Sequence, residues 1–133
     1  MERELEIIKK IILKKIDCEA ILLFGSYVRG TQNIESDIDI AIKPKEEISK
    51  KEIFYLVQEI EEAIKIEVDL VNLDTIGDGF RYEILMSGKT IYCEDEFKFE
   101  FYKLDMYREY LDLNESRKII IDEIKKGGAS SGK

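Results

Sequence analysis

Leu5, Ile8, Ile12 and Ile16 recur at helical spacing with charges between them, which predicts an amphipathic helix over 3–16. A short apolar run at 19–24 ends at Gly25 and reads as a buried strand. One or two helical turns are expected at 26–30, then a polar loop at 31–36. Residues 37–43 alternate: Asp37, Asp39 and Ala41 against Ile38, Ile40 and Ile42, the period of a strand with two unlike faces. Pro44, the only proline, is expected to follow and stop it. Ser49-Lys50-Lys51-Glu52 is a capping box opening a helix with Ile53, Leu56, Val57, Ile60 and Ile64 on one face. Residues 66–73 alternate again, with Ile66, Val68 and Leu70 against Glu67, Asp69 and Val71. Asp78 is the expected cap of a short helix through 86, with Gly88 stopping it in the left-handed conformation. An edge strand is expected at 90–93. Residues 95–126 have a helical pattern with an expected break at 112–114, where Asn114 can cap a new start. The stretch 127–133 (GGASSGK) is small and polar and reads as a flexible tail. Strands alternating with helices, with no internal repeat, imply an α/β (α+β) domain: a small mixed sheet of about four strands covered by helices.

Length and composition narrow the chemistry. The 133 residues suffice for one core, so a single domain is expected over 1–126, with its centre at 3–93 and a C-terminal helical segment at 95–126. With 21 Lys+Arg against 29 Asp+Glu, the formal charge of −8 argues against broad nucleic-acid binding through a basic face. The chain has no histidine, which excludes Ser-His-Asp and Cys-His pairs and HExxH zinc proteases. Cys18 and Cys93 are too few for a four-cysteine zinc site and read as free thiols of a reducing compartment. No segment has the apolar length or leader pattern of a membrane or secretory sequence, so a cytoplasmic location is expected. Carboxylates, hydroxyls, backbone amides, Lys, Arg, Tyr or a metal must carry the chemistry.

The informative stretch is Gly25-Ser26-Tyr27-Val28-Arg29-Gly30 followed by Ser36-Asp37-Ile38-Asp39. Side chains two apart on a strand point the same way, so Asp37 and Asp39 repel unless a cation lies between them. Mg²⁺ suits them, because it prefers hard oxygen ligands and phosphate-bearing substrates. If the strand carrying Asp69 pairs beside theirs, three acids share one face. Such a set can hold two Mg²⁺ ions about 3.5–4 Å apart, the geometry of in-line nucleotidyl displacement. Asp69 is then also the candidate to help deprotonate an attacking hydroxyl. Gly25 permits close backbone approach, and Ser26 opens a helix whose N–H groups can meet phosphate. Gly25 and Gly30 have the glycine spacing of a Walker A loop, but Thr31-Gln32 stand where that motif needs Lys and Ser/Thr.

Gly-Ser, ten residues, then Asp-x-Asp resembles the signature of the DNA polymerase β-like nucleotidyltransferases. The fuller string GSYVRG…SDIDIAI is similar to the minimal nucleotidyltransferases of that superfamily, over roughly residues 3–93. The resemblance implies the polymerase β-like fold. It implies nucleotide binding by Gly25 and Ser26, and metal binding and catalysis by Asp37, Asp39 and Asp69, with ATP as substrate. It also implies a partner, since such proteins are commonly antitoxins paired with HEPN-domain ribonuclease toxins. In similar systems AMP passes from ATP to a toxin tyrosine, and a hetero-oligomer is expected. Two other readings stay open: neutralisation of the partner by binding alone, and transfer to a small molecule such as an aminoglycoside.

Other residues admit two readings each. Arg29 can meet nucleotide or be an ordinary solvated arginine. Arg81 and Glu83 flank Tyr82; an ion pair or cap is the favoured role, ahead of a substrate or partner contact. The Lys/Glu run at 43–51 reads as a solvated helix entry, and the cysteines as small apolar residues. Phe97, Phe101, Leu104 and Leu111 form a stripe with Tyr102, Tyr107 and Tyr110 nearby, either core or a partner interface.

Overall fold

Two apolar faces, one on each side of a single sheet, organise this chain. The structure, a computed structural model, describes residues 1–33 and 36–125, the last helix beyond residue 112 as backbone only. The elements run α1 (Glu2–Lys15), β1 (Cys18–Phe24), α2 (Ser26–Arg29), β2 (Ile38–Pro44), α3 (Lys50–Ile64), β3 (Val68–Asn72), α4 (Asp78–Ser87), β4 (Lys89–Cys93) and α5 (Glu96–Lys125). The sheet order is β3-β2-β1-β4. β1 pairs antiparallel with β2 and β4, and β2 pairs parallel with β3. The mixed sheet and helical cover expected from the sequence are therefore present.

Alternation decides which helix covers which face. Ile21, Leu23, Ile38, Ile40, Ile42, Val68 and Leu70 pack with Ile8 and Ile12 of α1 and Leu56 and Ile60 of α3. Ala20, Leu22, Phe24 and Ala41 turn the other way, onto Ile84 and Leu85 of α4 and Phe99 of α5. Asp39 shares the parity of Ala41, so it emerges on the α4/α5 side, at the end of the sheet those helices leave open. The Ser49 capping box forms as expected, with reciprocal Ser49 and Glu52 bonds. Both cysteines are free; Cys18 is buried in the first core, and burial pushes its thiol up to about 12.

Several expectations need correction. Pro44 is the last residue of β2, not the one after it; the parallel ladder to β3 ends at Ile42, so the missing N–H is no loss there. β3 is shorter than 66–73, because α3 ends with Lys65 in the left-handed conformation (φ 61°) and 66–67 serve as the turn into the strand. Asp78 is the first residue of α4, not its cap; Gly77 takes that position. Gly88 is not left-handed (φ −75°, ψ 161°). A Cβ there would lie 2.5 Å from the Ile84 carbonyl and 3.2 Å from that of Leu23, so the glycine serves close packing of α4 on β1. The break expected at 112–114 is absent: α5 is continuous, and its N-terminal half is held by Phe99, Tyr102 and Met106 against the sheet. The stretch 127–133 and the end of the segment at 126 lie outside the described residues.

Arg81 has the structural role favoured from the sequence. Its Nε donates to the Leu73 carbonyl at 2.7 Å and an Nη to that of Ile76 at 3.0 Å, while the other Nη pairs with Asp78 at 3.1 Å. It ties the β3–α4 connection to α4. Arg81→Ala is expected to destabilise the fold by about 2–3 kcal/mol, since bonds from a charged donor are lost and carbonyls stay unpaired. A lower urea midpoint, with activity retained below the unfolding transition, is the result to look for.

Candidate active site

The site begins at the register of the parallel ladder. Asp39 stands opposite Asp69, and Ile38 opposite Val68. The two carboxylates thus leave neighbouring strands on one face, about 4.8 Å apart at the backbone. The Ile38 N–H donates to the Glu67 carbonyl at 2.9 Å, which sets Asp37 opposite Glu67. Glu61 of α3 fixes this end of β3, its carboxylate accepting from the Val68 N–H at 2.8 Å. Across the other edge of β2, Asp39 stands opposite Phe24 of β1, where the chain turns at Gly25 into α2.

Gly25 has φ 78° and ψ −151°, a conformation essentially reserved to glycine. A Cβ on it would overlap Oδ2 of Asp39 and lie 2.9 Å from its Cγ. The strand-to-helix turn and the central acid therefore interlock. The Gly25 carbonyl accepts from the N–H groups of Val28 and Arg29, closing α2 and leaving its leading N–H groups pointing out of the helix. Ser26 is the first residue of that turn, and Gly30 ends it in the left-handed conformation.

Electrostatics mark Asp39 as the centre. Burial raises its carboxyl above the usual range, the charges of Asp69 and Asp37 raise it further, and Arg29 opposes them. Arg29 is thus within electrostatic reach of the acids. Glu67 is raised as well, first by its hydrogen bond with Asp37 and by that group's charge. Glu67 was not singled out in the sequence, although Glu67-x-Asp69 has the same two-residue spacing as Asp37-x-Asp39. Among the described residues no three such side chains close on one point as a finished metal cage. The donors nonetheless fit Mg²⁺ in kind: they are all carboxylate oxygens, and this ion is usually held by one or two carboxylates with water and substrate phosphate completing its shell.

A strand-borne pair of acids beside a glycine-serine turn, on a four-stranded mixed sheet, defines a nucleotidyltransferase palm. Residues 6–97 match the family described as polymerase beta, nucleotidyltransferase, and the chain belongs to that family and is a nucleotidyltransferase. Among curated relatives, the protein adenylyltransferase MntA of Shewanella oneidensis is 32% identical over 108 residues, 80% of this chain and 76% of that one. Among solved structures, a chain of a toxin–antitoxin complex determined with AMP-PNP superposes with a TM-score of 0.80 at 29% identity, covering 91% of this chain and 98% of that one. A chain of the complex of tri-AMPylated HEPN toxin with MNT antitoxin from Shewanella oneidensis superposes at 0.76 and 25% identity, covering 93% and 98%.

The C-terminal stripe resolves into two faces. Phe99, Tyr102 and Met106 turn inward, while Phe97 (80% exposed), Phe101 (65%), Leu104 and Leu111 face out. The stripe named in the sequence is thus not core. Tyr82 of α4 stacks between Tyr107 and Tyr110, with centroids 5.7 and 4.2 Å away, which locks the two helices together. Lys43, on the same strand face as Asp39 but at the far end, pairs with Glu19 at 3.4 Å and Asp74 at 3.2 Å. No helix among the described residues is long and apolar enough to cross a membrane.

Proposed function

We propose that this chain is a Mg²⁺-dependent protein adenylyltransferase that transfers AMP from ATP to a tyrosine hydroxyl of a cognate HEPN toxin, acting as its antitoxin in the cytoplasm. The observation that carries the reading is the placement of Asp39 abreast of Asp69 and against Gly25. Asp37, Asp39 and Asp69 are the residues that would hold Mg²⁺, two ions in the full site. When bound, the metal supplies a Lewis acid for the phosphate oxygens and a lowered pKa for the acceptor hydroxyl. Ser26 and the leading N–H groups of α2 receive the phosphate tail and steady the departing pyrophosphate. Asp69, at the exposed rim, takes the proton as the hydroxyl oxygen bonds to the α-phosphorus. Arg29 lends positive charge near Asp39. The names of the relatives support both the protein acceptor and the toxin partner.

The outward apolar face of α5 supports a stable complex with that partner, which keeps neutralisation by binding alone as a second reading. The test is to mix the chain with ATP labelled at the α-phosphate, Mg²⁺, a candidate cognate HEPN protein and, separately, an aminoglycoside. Label is expected on a toxin tyrosine and to vanish with EDTA. Complex formation without label leaves binding alone; label on the aminoglycoside overturns the acceptor.

A further inference from the structure

Phe80 is 43% exposed, yet it is placed with care. Its ring meets Phe24 edge-on, centroids 5.7 Å apart at 77°. Phe24 is the β1 residue opposite Asp39, and it directly precedes Gly25. Cross-strand partners share a face and are about 5 Å apart at the backbone, so Phe80, packed on Phe24, lies on the sheet face and at the strand end that carry the central acid. The chain leading to it is uncrowded: at Gly77 and Gly79, both just before Phe80 in sequence, no heavy atom of another segment lies within 4 Å of where a Cβ would stand. A T-shaped contact leaves at least one face of the Phe80 ring uncommitted to Phe24.

We propose that Phe80 is the platform on which the purine base of the nucleotide stacks, with Phe24 as its prop. The inference rests on the nucleotidyl-transfer reading and adds the residue that recognises the base. The acids and the Gly25-Ser26 turn can engage only the phosphates. A base must lie one ribose away from the α-phosphate, on a surface that tolerates an uncharged aromatic plane. Phe80 supplies such a surface on the β1 side of Asp39, whereas Asp69 of β3 borders its other side on the same face. Stacking uses no hydrogen bonds, so Phe80 separates nucleotides from bare polyphosphate rather than one purine from another.

The test compares AMP-PNP with inorganic tripolyphosphate, both with Mg²⁺, by calorimetry on the full chain. Phe80→Ala is expected to weaken AMP-PNP binding by about tenfold or more, and to leave tripolyphosphate binding unchanged. Phe80→Leu keeps apolar bulk over Phe24 but has no aromatic face, and is expected to behave like the alanine variant. The chain has no tryptophan, so Phe80→Trp adds a lone indole emitter. AMP-PNP is expected to quench it and tripolyphosphate is not. Unchanged AMP-PNP affinity in both truncated variants, equal loss of both ligands, or an indole blind to AMP-PNP overturns the stacking role. A parent protein that binds neither ligand overturns the nucleotide reading itself, and this inference with it.

Discussion

Asp39→Asn is expected to lose about 10³-fold or more in AMP transfer, while the metal-free protein becomes more resistant to heat. The first half follows from the several kcal/mol that a bound Lewis-acid metal contributes, each 1.36 kcal/mol being tenfold in rate. The second half follows from the crowding of like charges. Burial, then Asp69, then Asp37 raise the Asp39 carboxyl above its ordinary value, with Arg29 only partly offsetting them. A folded state with a raised pKa holds its proton more tightly than the unfolded chain does. That contribution to stability is complete below the unfolded value and is lost as pH rises through the folded one. At neutral pH the ionised Asp39 is therefore a burden, and an uncharged isostere relieves it. A gain of about 0.5–2 kcal/mol is typical of relieved charge crowding, and solvent screening puts this site toward the lower end.

Glu67 has the same sign as Asp39, because Asp37 raises it. Glu19 has the opposite sign: burial pushes it up, but Lys98 and Lys43 draw it below its ordinary value, so its contribution is lost as pH falls. Melting curves in EDTA across about pH 4–8 separate the two, since only the Asp39-linked slope flattens in Asp39→Asn. Full activity with an unchanged melting temperature would remove Asp39 from the site. If the variant is inactive but still protects cells from the toxin, docking alone neutralises the partner.

Gly25→Ala is expected to damage folding and catalysis together. Its backbone conformation costs a non-glycine residue about 1–3 kcal/mol. The added methyl must also displace Oδ2 of Asp39. A shift of about 1 Å in a reacting constellation costs on the order of 10²-fold in rate, so the residual activity of the folded fraction is expected to fall by at least that much. Gly30→Ala is the control: it too has positive φ (75°), but no atom lies within 4 Å of the new methyl. It should pay about 1–2 kcal/mol of backbone strain and keep its activity. Parallel melting and transfer assays distinguish the pair. Equal activity in both variants would dissolve the link between the turn and the acid.

The legible part of the site was local. Asp37 and Asp39 were expected on one face because alternate residues on any strand are, although β2 itself begins at Ile38 with Asp37 just before it, and Gly25-Ser26 announces a turn from strand to helix. The same rule was available for Glu67 and Asp69, and only one of them was taken up. Phe80 was not legible at all: one exposed aromatic in a short helix looks like any other until Phe24 is found beneath it. Gly88 shows the reverse limit, because a glycine after a helix suggests a left-handed stop, and only the backbone of Leu23 and Ile84 reveals that it is there for room.

Residue type and spacing by themselves determined the order of helices and strands, the two unlike faces of β2, and the acidic, histidine-free chemistry. Those are consequences of backbone periodicity and side-chain inventory, which act over a few residues. The tertiary structure alone decided that β3 lies parallel beside β2 with Asp69 level with Asp39, that α5 runs unbroken with Phe97 and Phe101 outward, and that Phe80 stands over Phe24. Pairing between distant segments is set by the need to bury both apolar faces at once. A slip of one residue in β3 would turn Val68 and Leu70 out of the core and Asp69 into it, so the packing that hides the aliphatic side chains also brings the acids together.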